Sequence, residues 1–245
     1  MDDVTAAETL ISCLDLTSLN DTDTSENIID LCRKAQTPYG NVAAVCVYPQ
    51  FVGMAKEHLR HTDIKVATVI NFPDGSLDAE RTQSAITTAV VKGADEIDLV
   101  FPYKQFLEGQ KNECGLFIKQ IKEHLGKKIL LKVILETGEL IHAVTIAEAA
   151  KLCIQNGADF IKTSTGKTKI SATPEAANII LETIASGRKN AGFKASGGIK
   201  TIDDAKKYLV LAVAVMGGKW VTPKNFRIGA SSLLDNLIEV INRGY

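Results

Sequence analysis

The chain lacks most of the short patterns by which whole classes of chemistry announce themselves. Its cysteines, Cys13, Cys32, Cys46, Cys114 and Cys153, are five in number, widely separated and without a C-x-x-C pair. An odd, scattered set argues against a disulfide framework and against a zinc site, so reduced thiols are expected. No apolar run reaches bilayer-spanning length, and the start Met1-Asp2-Asp3-Val4 has neither the cationic nor the apolar segment of an export signal. A cytoplasmic protein with no membrane partner is the expectation. With 28 basic and 29 acidic residues and no basic run, nucleic acid is not an expected partner either. His58, His61, His124 and His142 fall on predicted helices or their ends without H-E-x-x-H or other ligand spacing, so no metal and no cofactor are expected. The dinucleotide fingerprint G-x-G-x-x-G and the nucleophile elbow G-x-S-x-G are absent. Gly166-Lys167-Thr168 matches the end of a nucleotide P-loop, but Ile161 stands where that loop needs its first glycine, which excludes ATP.

What is present reads as one folded unit. Hydrophobic residues make up 45% of the chain and charged ones 23%, the balance of a globular protein with a substantial core. Short β-type runs recur at Cys13–Thr17, Val42–Tyr48, Lys65–Asn71, Glu96–Phe101, Ile129–Glu136, Phe160–Ser164, Gly192–Ser196 and Phe226–Gly229. Amphipathic helical segments lie between them, among them Ser76–Lys92, Gly115–His124, Ile141–Asn156, Pro174–Ala185 and Ser232–Ile241, several opened by Ser, Thr or Pro. Gly-Ala-Asp occurs at 93–95 and again at 157–159, each time between a helix and a strand, and reads as repeated helix-stop chemistry. Strand-helix units of this number and length predict an α/β fold, a (β/α)8 TIM barrel in which 1–245 form a single domain. The rival is an open doubly wound sheet, which usually has fewer strands and often carries the missing fingerprint.

Strand parity then sorts the charges. The helix-facing side of a barrel strand must be apolar, and successive residues alternate between faces. If Ile97 and Leu99 face the helices, Glu96 and Asp98 face the interior. The same rule turns Lys132 inward against Leu131 and Val133, Lys162 inward against Ile161 and Thr163, Lys194 inward against Phe193, and Asp15 inward against Leu14 and Leu16. Burying a lone ammonium or carboxylate costs several kcal/mol, so such a set must pair, react, or both. The plainest reading is a structural ion-pair layer. Three lysines beside fewer carboxylates favour chemistry instead, because a neighbouring cation lowers an amine's pKa toward the neutral form that attacks a carbonyl. Parity does not choose among the three lysines.

A second constellation suits an anion. The segments after strands six, seven and eight contain Gly166 and Lys167, Gly197, Gly198 and Lys200, and Gly229, Ser231 and Ser232. Each alone is an ordinary turn, but these are the loops with which barrel enzymes often hold phosphate. Cys46 shares a strand face with Ala44 and Tyr48, so it either looks into the site or is simply a small buried thiol. If it faces the site, inactivation at high aldehyde concentration partly through Cys46 is expected.

The strings Asp15-Leu16-Thr17, Glu96-Ile97-Asp98, Lys132-Val133-Ile134-Leu135-Glu136-Thr137-Gly138, Phe160-Ile161-Lys162-Thr163-Ser164-Thr165-Gly166, Lys194-Ala195-Ser196-Gly197-Gly198 and Gly229-Ala230-Ser231-Ser232 resemble the deoxyribose-phosphate aldolase family over nearly the whole chain. The resemblance implies a metal-free class I aldolase that reversibly cleaves 2-deoxy-D-ribose 5-phosphate to D-glyceraldehyde 3-phosphate and acetaldehyde in deoxynucleoside breakdown. It implies Lys162 as the Schiff-base lysine, Lys194 as the cation that tunes it, and Asp98 as a proton shuttle acting with an ordered water. Asp15, Thr17 and Lys132 would support the site, the glycine and serine loops would hold the phosphate of a small-molecule sugar phosphate, and a homodimer is implied. Two features depart from the pattern. Lys200 stands where Arg is expected, which replaces a bidentate phosphate contact by a point charge. Tyr245 ends the chain as a site-reaching tyrosine does in longer members, but only a few residues beyond the last predicted helix. Other expectations left open are a transaldolase-like lyase and a non-catalytic sugar-phosphate-binding barrel.

Overall fold

The computed structural model describes residues 2–187 and 190–244. In it the apolar runs become the strands β1 (Leu14–Thr17), β2 (Ala44–Val47), β3 (Lys65–Ile70), β4 (Glu96–Val100), β5 (Leu130–Ile134), β6 (Phe160–Lys162), β7 (Gly192–Ser196) and β8 (Phe226–Ala230). All pair in parallel, each with its neighbours in sequence, and β1 pairs with both β8 and β2, so the sheet closes. This is the (β/α)8 TIM barrel that the pattern of runs predicts.

Alternation does what the parity argument requires. Ile97, Leu99, Leu131, Val133, Ile161, Phe193 and Ile228 are fully buried in the layer between strands and helices, where each contributes roughly 1.5–3 kcal/mol of apolar burial. The observed strands are shorter than the runs. Pairing on β5 stops at Ile134 because Glu136 takes a left-handed backbone (φ 58°) and turns the chain into the short helix Thr137–Leu140. That turn also breaks the segment predicted from Ile141 onward: the following helix starts at Ala143 and ends at Gln155. Elsewhere the start signals operate as read. Asp78 caps Ala79–Val91, and Thr173 caps Pro174–Ser186 with Pro174 in its first turn. The helix Asp3–Ser12 precedes the barrel and packs against the last helix, Leu233–Gly244.

Gly-Ala-Asp proves to be more than helix-stop chemistry. Gly93 and Gly157 end their helices at φ 102° and 104°. A Cβ at either would come within 2.9 or 2.8 Å of Cγ of Lys56 or Lys122, so the bare backbone lets a lysine stem cross it. That lysine then reaches the Asp of the same tripeptide: Lys56 Nζ to Asp95 at 2.7 Å and Lys122 Nζ to Asp159 at 2.6 Å. Each Asp also accepts the amide of the preceding strand, Val66 N–H at 2.9 Å and Leu131 N–H at 2.8 Å. The tripeptide thus fastens helix, incoming strand and neighbouring strand at the N-terminal end of the barrel, twice.

Candidate active site

The barrel interior is divided in character. On β2 and β3 it is small and apolar, made by Ala44, Cys46, Ala67 and Val69, with Leu19, Tyr48 and Phe72 packed against them. Tyr48 and Phe72 meet edge to face, 6.1 Å between centroids. On the other strands it is ionic, and every member of the ionic set is at most 4% exposed. Asp15, Asp98, Lys132, Lys162 and Lys194 all point inward, as parity predicts. Glu96 joins them, and so does Arg227 of β8, which the sequence reading passed over although Phe226 and Ile228 flank it with the same alternation.

The connections are dense. Lys132 Nζ lies 2.5 Å from Glu96, 2.9 Å from Asp98 Oδ1 and 3.3 Å from Asp15 Oδ2. Lys194 Nζ lies 2.5 Å from Asp15 Oδ2 and 2.8 Å from Asp98 Oδ2. Lys162 Nζ reaches one carboxylate only, Asp98 Oδ2 at 2.8 Å. Arg227 bridges Asp15 Oδ1 at 2.5 Å and Glu96 Oε1 at 2.9 Å, with its guanidinium 5.8 Å from the Phe160 ring centroid. The cations Lys132, Lys162, Lys194 and Arg227 therefore outnumber the carboxylates Asp15, Glu96 and Asp98 by one, and the share of each lysine falls in the order Lys132, Lys194, Lys162.

The protonation equilibria follow that order. Burial drives every amine toward neutrality, but Asp15 and Asp98 outweigh it at Lys132 and Lys194, whose pKa values rise. At Lys162 burial wins over the pull of Asp98, Lys194 adds to it, and the pKa falls below the ordinary lysine value. The neighbouring cation is thus the lesser cause and desolvation the greater, the reverse of the emphasis that the sequence suggests. Asp15 and Asp98 are held well below the usual carboxylate range, against the opposing effect of burial, by the lysines around them. Asp98 is consequently an ionised acceptor with both oxygens engaged.

A cleft opens at the C-terminal end of the strands. It is lined by Thr17 from the end of β1, Lys162, the loop residues Thr165, Gly166 and Lys167, the segment Ser196 to Lys200, and Gly229 to Ser232. Of the ionic set, only Lys162 lines it, among the described residues. Here the expected phosphate loops converge on the mouth above the one lysine with a lowered pKa. Gly229 has a second reason to be glycine, since a Cβ there would lie 2.9 Å from Cε of Lys194 and 3.0 Å from Cβ of Ser196. Lys167 donates from Nζ to the carbonyl of Leu19 at 2.7 Å, which ties two rims of the cleft together. Lys200 is exposed at its edge, and Ser231 and Ser232 are exposed ahead of the last helix. Thr17 lines the cleft and donates to the carbonyl of Asp15 at 2.8 Å.

Cys46 faces the interior, fully buried, and burial together with Asp98 pushes its thiol up to about 11. Tyr245 lies outside the described residues. Leu19 and Asn20, just past the end of β1, also line the cleft; no charge or glycine signals them in the sequence. No group of three or more His, Cys, Asp or Glu suited to a metal ion occurs among the described residues, and no helix there is long and apolar enough to cross a membrane.

Comparison with known proteins agrees with this fold. A protein from Coccidioides immitis, provisionally assigned as a deoxyribose-phosphate aldolase, is 31% identical over 95% of this chain and 86% of its own, with a TM-score of 0.84. The deoxyribose phosphate aldolase of Aeropyrum pernix, described as a tetramer, is 26% identical over all of this chain (100%) and 98% of its own, with a TM-score of 0.76. A provisionally assigned deoxyribose-phosphate aldolase from Toxoplasma gondii is 25% identical over 98% of both chains, with a TM-score of 0.88. The family model for the DeoC/LacD family aldolases matches residues 9–237. With nearly the full barrel covered, the chain belongs to the DeoC/LacD family and is an aldolase.

Proposed function

We propose that the protein is a class I aldolase that reversibly cleaves 2-deoxy-D-ribose 5-phosphate into D-glyceraldehyde 3-phosphate and acetaldehyde through an imine on Lys162, in deoxyribonucleotide breakdown. The observation that carries this reading is the ranking of the lysines. Lys162 has the fewest carboxylate partners, the one lowered pKa among the lysines of the interior, and the one ammonium of the set at the cleft surface. A neutral amine there adds to the aldehyde of the open-chain sugar and loses water to give an iminium. The iminium accepts the electron pair released when the C2–C3 bond breaks as the C3 hydroxyl gives up its proton and becomes the aldehyde of glyceraldehyde 3-phosphate. The resulting enamine takes a proton at carbon, and hydrolysis of the new imine frees acetaldehyde and the amine.

The surroundings suit these steps. Asp98, ionised and in contact with Lys162 and Lys194, orients both ammonium groups and can accept a proton in transit. The apolar wall of Ala44, Cys46, Ala67 and Val69 accommodates the two-carbon fragment, whereas the loops at Gly166–Lys167, Gly197–Lys200 and Gly229–Ser232 offer backbone N–H groups, hydroxyls and ammonium groups to the phosphate. Borohydride reduction in the presence of deoxyribose 5-phosphate, followed by peptide mass mapping, tests the reading. It predicts a substrate-derived adduct on Lys162 and acetaldehyde release that Lys162→Ala abolishes. Turnover that survives Lys162→Ala, or an adduct on Lys132 or Lys194 instead, refutes it. Transfer of dihydroxyacetone units in place of acetaldehyde release points to a transaldolase-like activity.

A further inference from the structure

Glu136 takes no part in the ionic set around Lys162, yet its placement is costly twice over. Its side chain is completely buried (0% exposed), and the groups that act on it are hydroxyls, an amide and Glu139 rather than a cation. Burial accordingly pushes its carboxyl above the ordinary value, against the hydrogen bonds that favour the charge. Its backbone is left-handed, φ 58° and ψ 62°, a conformation that costs a non-glycine residue roughly 1–3 kcal/mol. Apolar packing at the end of β5 requires neither feature.

What the carboxylate does is visible in its partners. It accepts the Thr165 N–H at 3.3 Å on both oxygens and the Thr165 hydroxyl at 2.5 Å, and shares the Thr168 hydroxyl, at 3.1 Å, with the Ile170 carbonyl. Thr165 Oγ1, with its proton turned to Glu136, accepts the Lys167 N–H at 3.0 Å. The segment so gripped contains Thr165, Gly166 and Lys167, which line the cleft, and its far end is held where Lys167 Nζ meets the Leu19 carbonyl. An acceptor with two oxygens and no proton of its own can take all these donors at once; an amide of the same shape cannot.

We propose that Glu136 is a positioning residue, whose carboxylate sets the Thr165–Thr168 loop so that Thr165, Gly166 and Lys167 meet the phosphate end of the substrate. The inference rests on the phosphate recognition assigned to this cleft above. It predicts a loss confined to phosphorylated ligands, because Glu136 acts on the loop and not on Lys162.

The test measures kcat and KM for deoxyribose 5-phosphate and for unphosphorylated 2-deoxyribose, and the calorimetric Kd for inorganic phosphate, in the wild type, Glu136→Gln and Thr168→Val. Glu136→Gln is expected to raise KM for the phosphorylated sugar and Kd for phosphate about tenfold, the scale of one lost hydrogen bond to a charged group. Its kcat/KM on deoxyribose should stay within about twofold, a change too small to signify a lost interaction. Thr168→Val, which removes one donor outside the cleft, should move the same quantities in the same direction by less, and decides the matter alone if Glu136→Gln does not fold. Unchanged KM and Kd in the folded variants, or equal losses on both sugars, overturn the proposal. A wild type that binds phosphate but cleaves neither sugar sinks the aldolase reading while the phosphate titration still judges Glu136; a wild type that binds no phosphate overturns the role of Glu136.

Discussion

Lys162 and Lys194 donate to the same oxygen of Asp98, each at 2.8 Å. Two ammonium groups on one oxygen repel each other, and the structure resolves the conflict unequally. Lys194 has Asp15 as a second partner; Lys162 has none and faces the cleft. The surplus positive charge of the interior is therefore relieved most easily by losing a proton from Lys162, which is the state that attacks a carbonyl.

The proposed imine on Lys162 carries a pH dependence. Lys162 is lowered from the ordinary lysine value of 10.5 by burial first and by Lys194 second, against the opposing pull of Asp98, so its deprotonation lies below that value. Lys194→Met removes a cation while leaving Asp15 and Asp98 in place, and the Lys162 pKa should rise. The midpoint of borohydride trapping against pH should move upward, with about tenfold less trapping at neutral pH for each unit moved. An unmoved midpoint would mean that Lys194 serves some other end.

Stability should separate the lysines in the opposite sense to activity. An amine whose folded pKa lies below its unfolded value binds fewer protons when folded. It therefore weakens the fold fully below the folded pKa, and that loss is relieved as pH rises toward 10.5. Lys162→Met should leave stability at pH 7 within about 1 kcal/mol of the wild type or above it. Lys132→Met, which leaves Asp15, Glu96 and Asp98 short of a buried partner, should lose about 3–5 kcal/mol. Urea midpoints measured side by side check the order, and equal losses would contradict it.

Cys46 faces the barrel interior, fully buried and outside the lining of the cleft, and carries a thiol pushed up to about 11. Near neutrality its thiolate fraction is more than about a hundredfold below that of a free cysteine. Inactivation by excess aldehyde should therefore be slow at pH 7 and should accelerate as pH rises, with the accelerating component missing in Cys46→Ser. Identical pH profiles for the two proteins would remove Cys46 from the inactivation route.

Gly229→Ala should damage the site from outside the reacting groups. The new Cβ meets Lys194 Cε at 2.9 Å and Ser196 Cβ at 3.0 Å, so the end of Lys194 must shift from its position between Asp15 and Asp98. Overpacking of this kind costs about 1–3 kcal/mol, and turnover should drop by about ten- to a hundredfold if that energy is felt in the transition state. Gly218→Ala, with nothing within 4 Å of its added Cβ, is the matched control. Equal activity in the two variants would show that Lys194 tolerates displacement.

The barrel and most of its charged interior were legible because alternation leaves a strand little freedom: with Leu131 and Val133 outward, Lys132 has nowhere else to go. The same rule applied to Phe226 and Ile228 marks Arg227, whose omission hid one of the three cations on Asp15 and one of the two on Glu96. The ranking of the three lysines was not legible without the family resemblance, because it depends on which carboxylate oxygen each amine reaches across the barrel, a relation between strands far apart in the chain. Glu136 was hidden for a different reason. A left-handed backbone at a glutamate contradicts local preference, and its partners Thr165 and Thr168 lie about thirty residues away on another loop.

The paired lysine-aspartate clasps of Gly93 to Asp95 and Gly157 to Asp159 stand at the opposite pole of the molecule from the cleft. A foundation secured in that way does not depend on which residues occupy the rim. Changes at the exposed rim residues Lys200 and Ser231 can therefore be explored for altered substrate range without loosening the opposite end of the barrel.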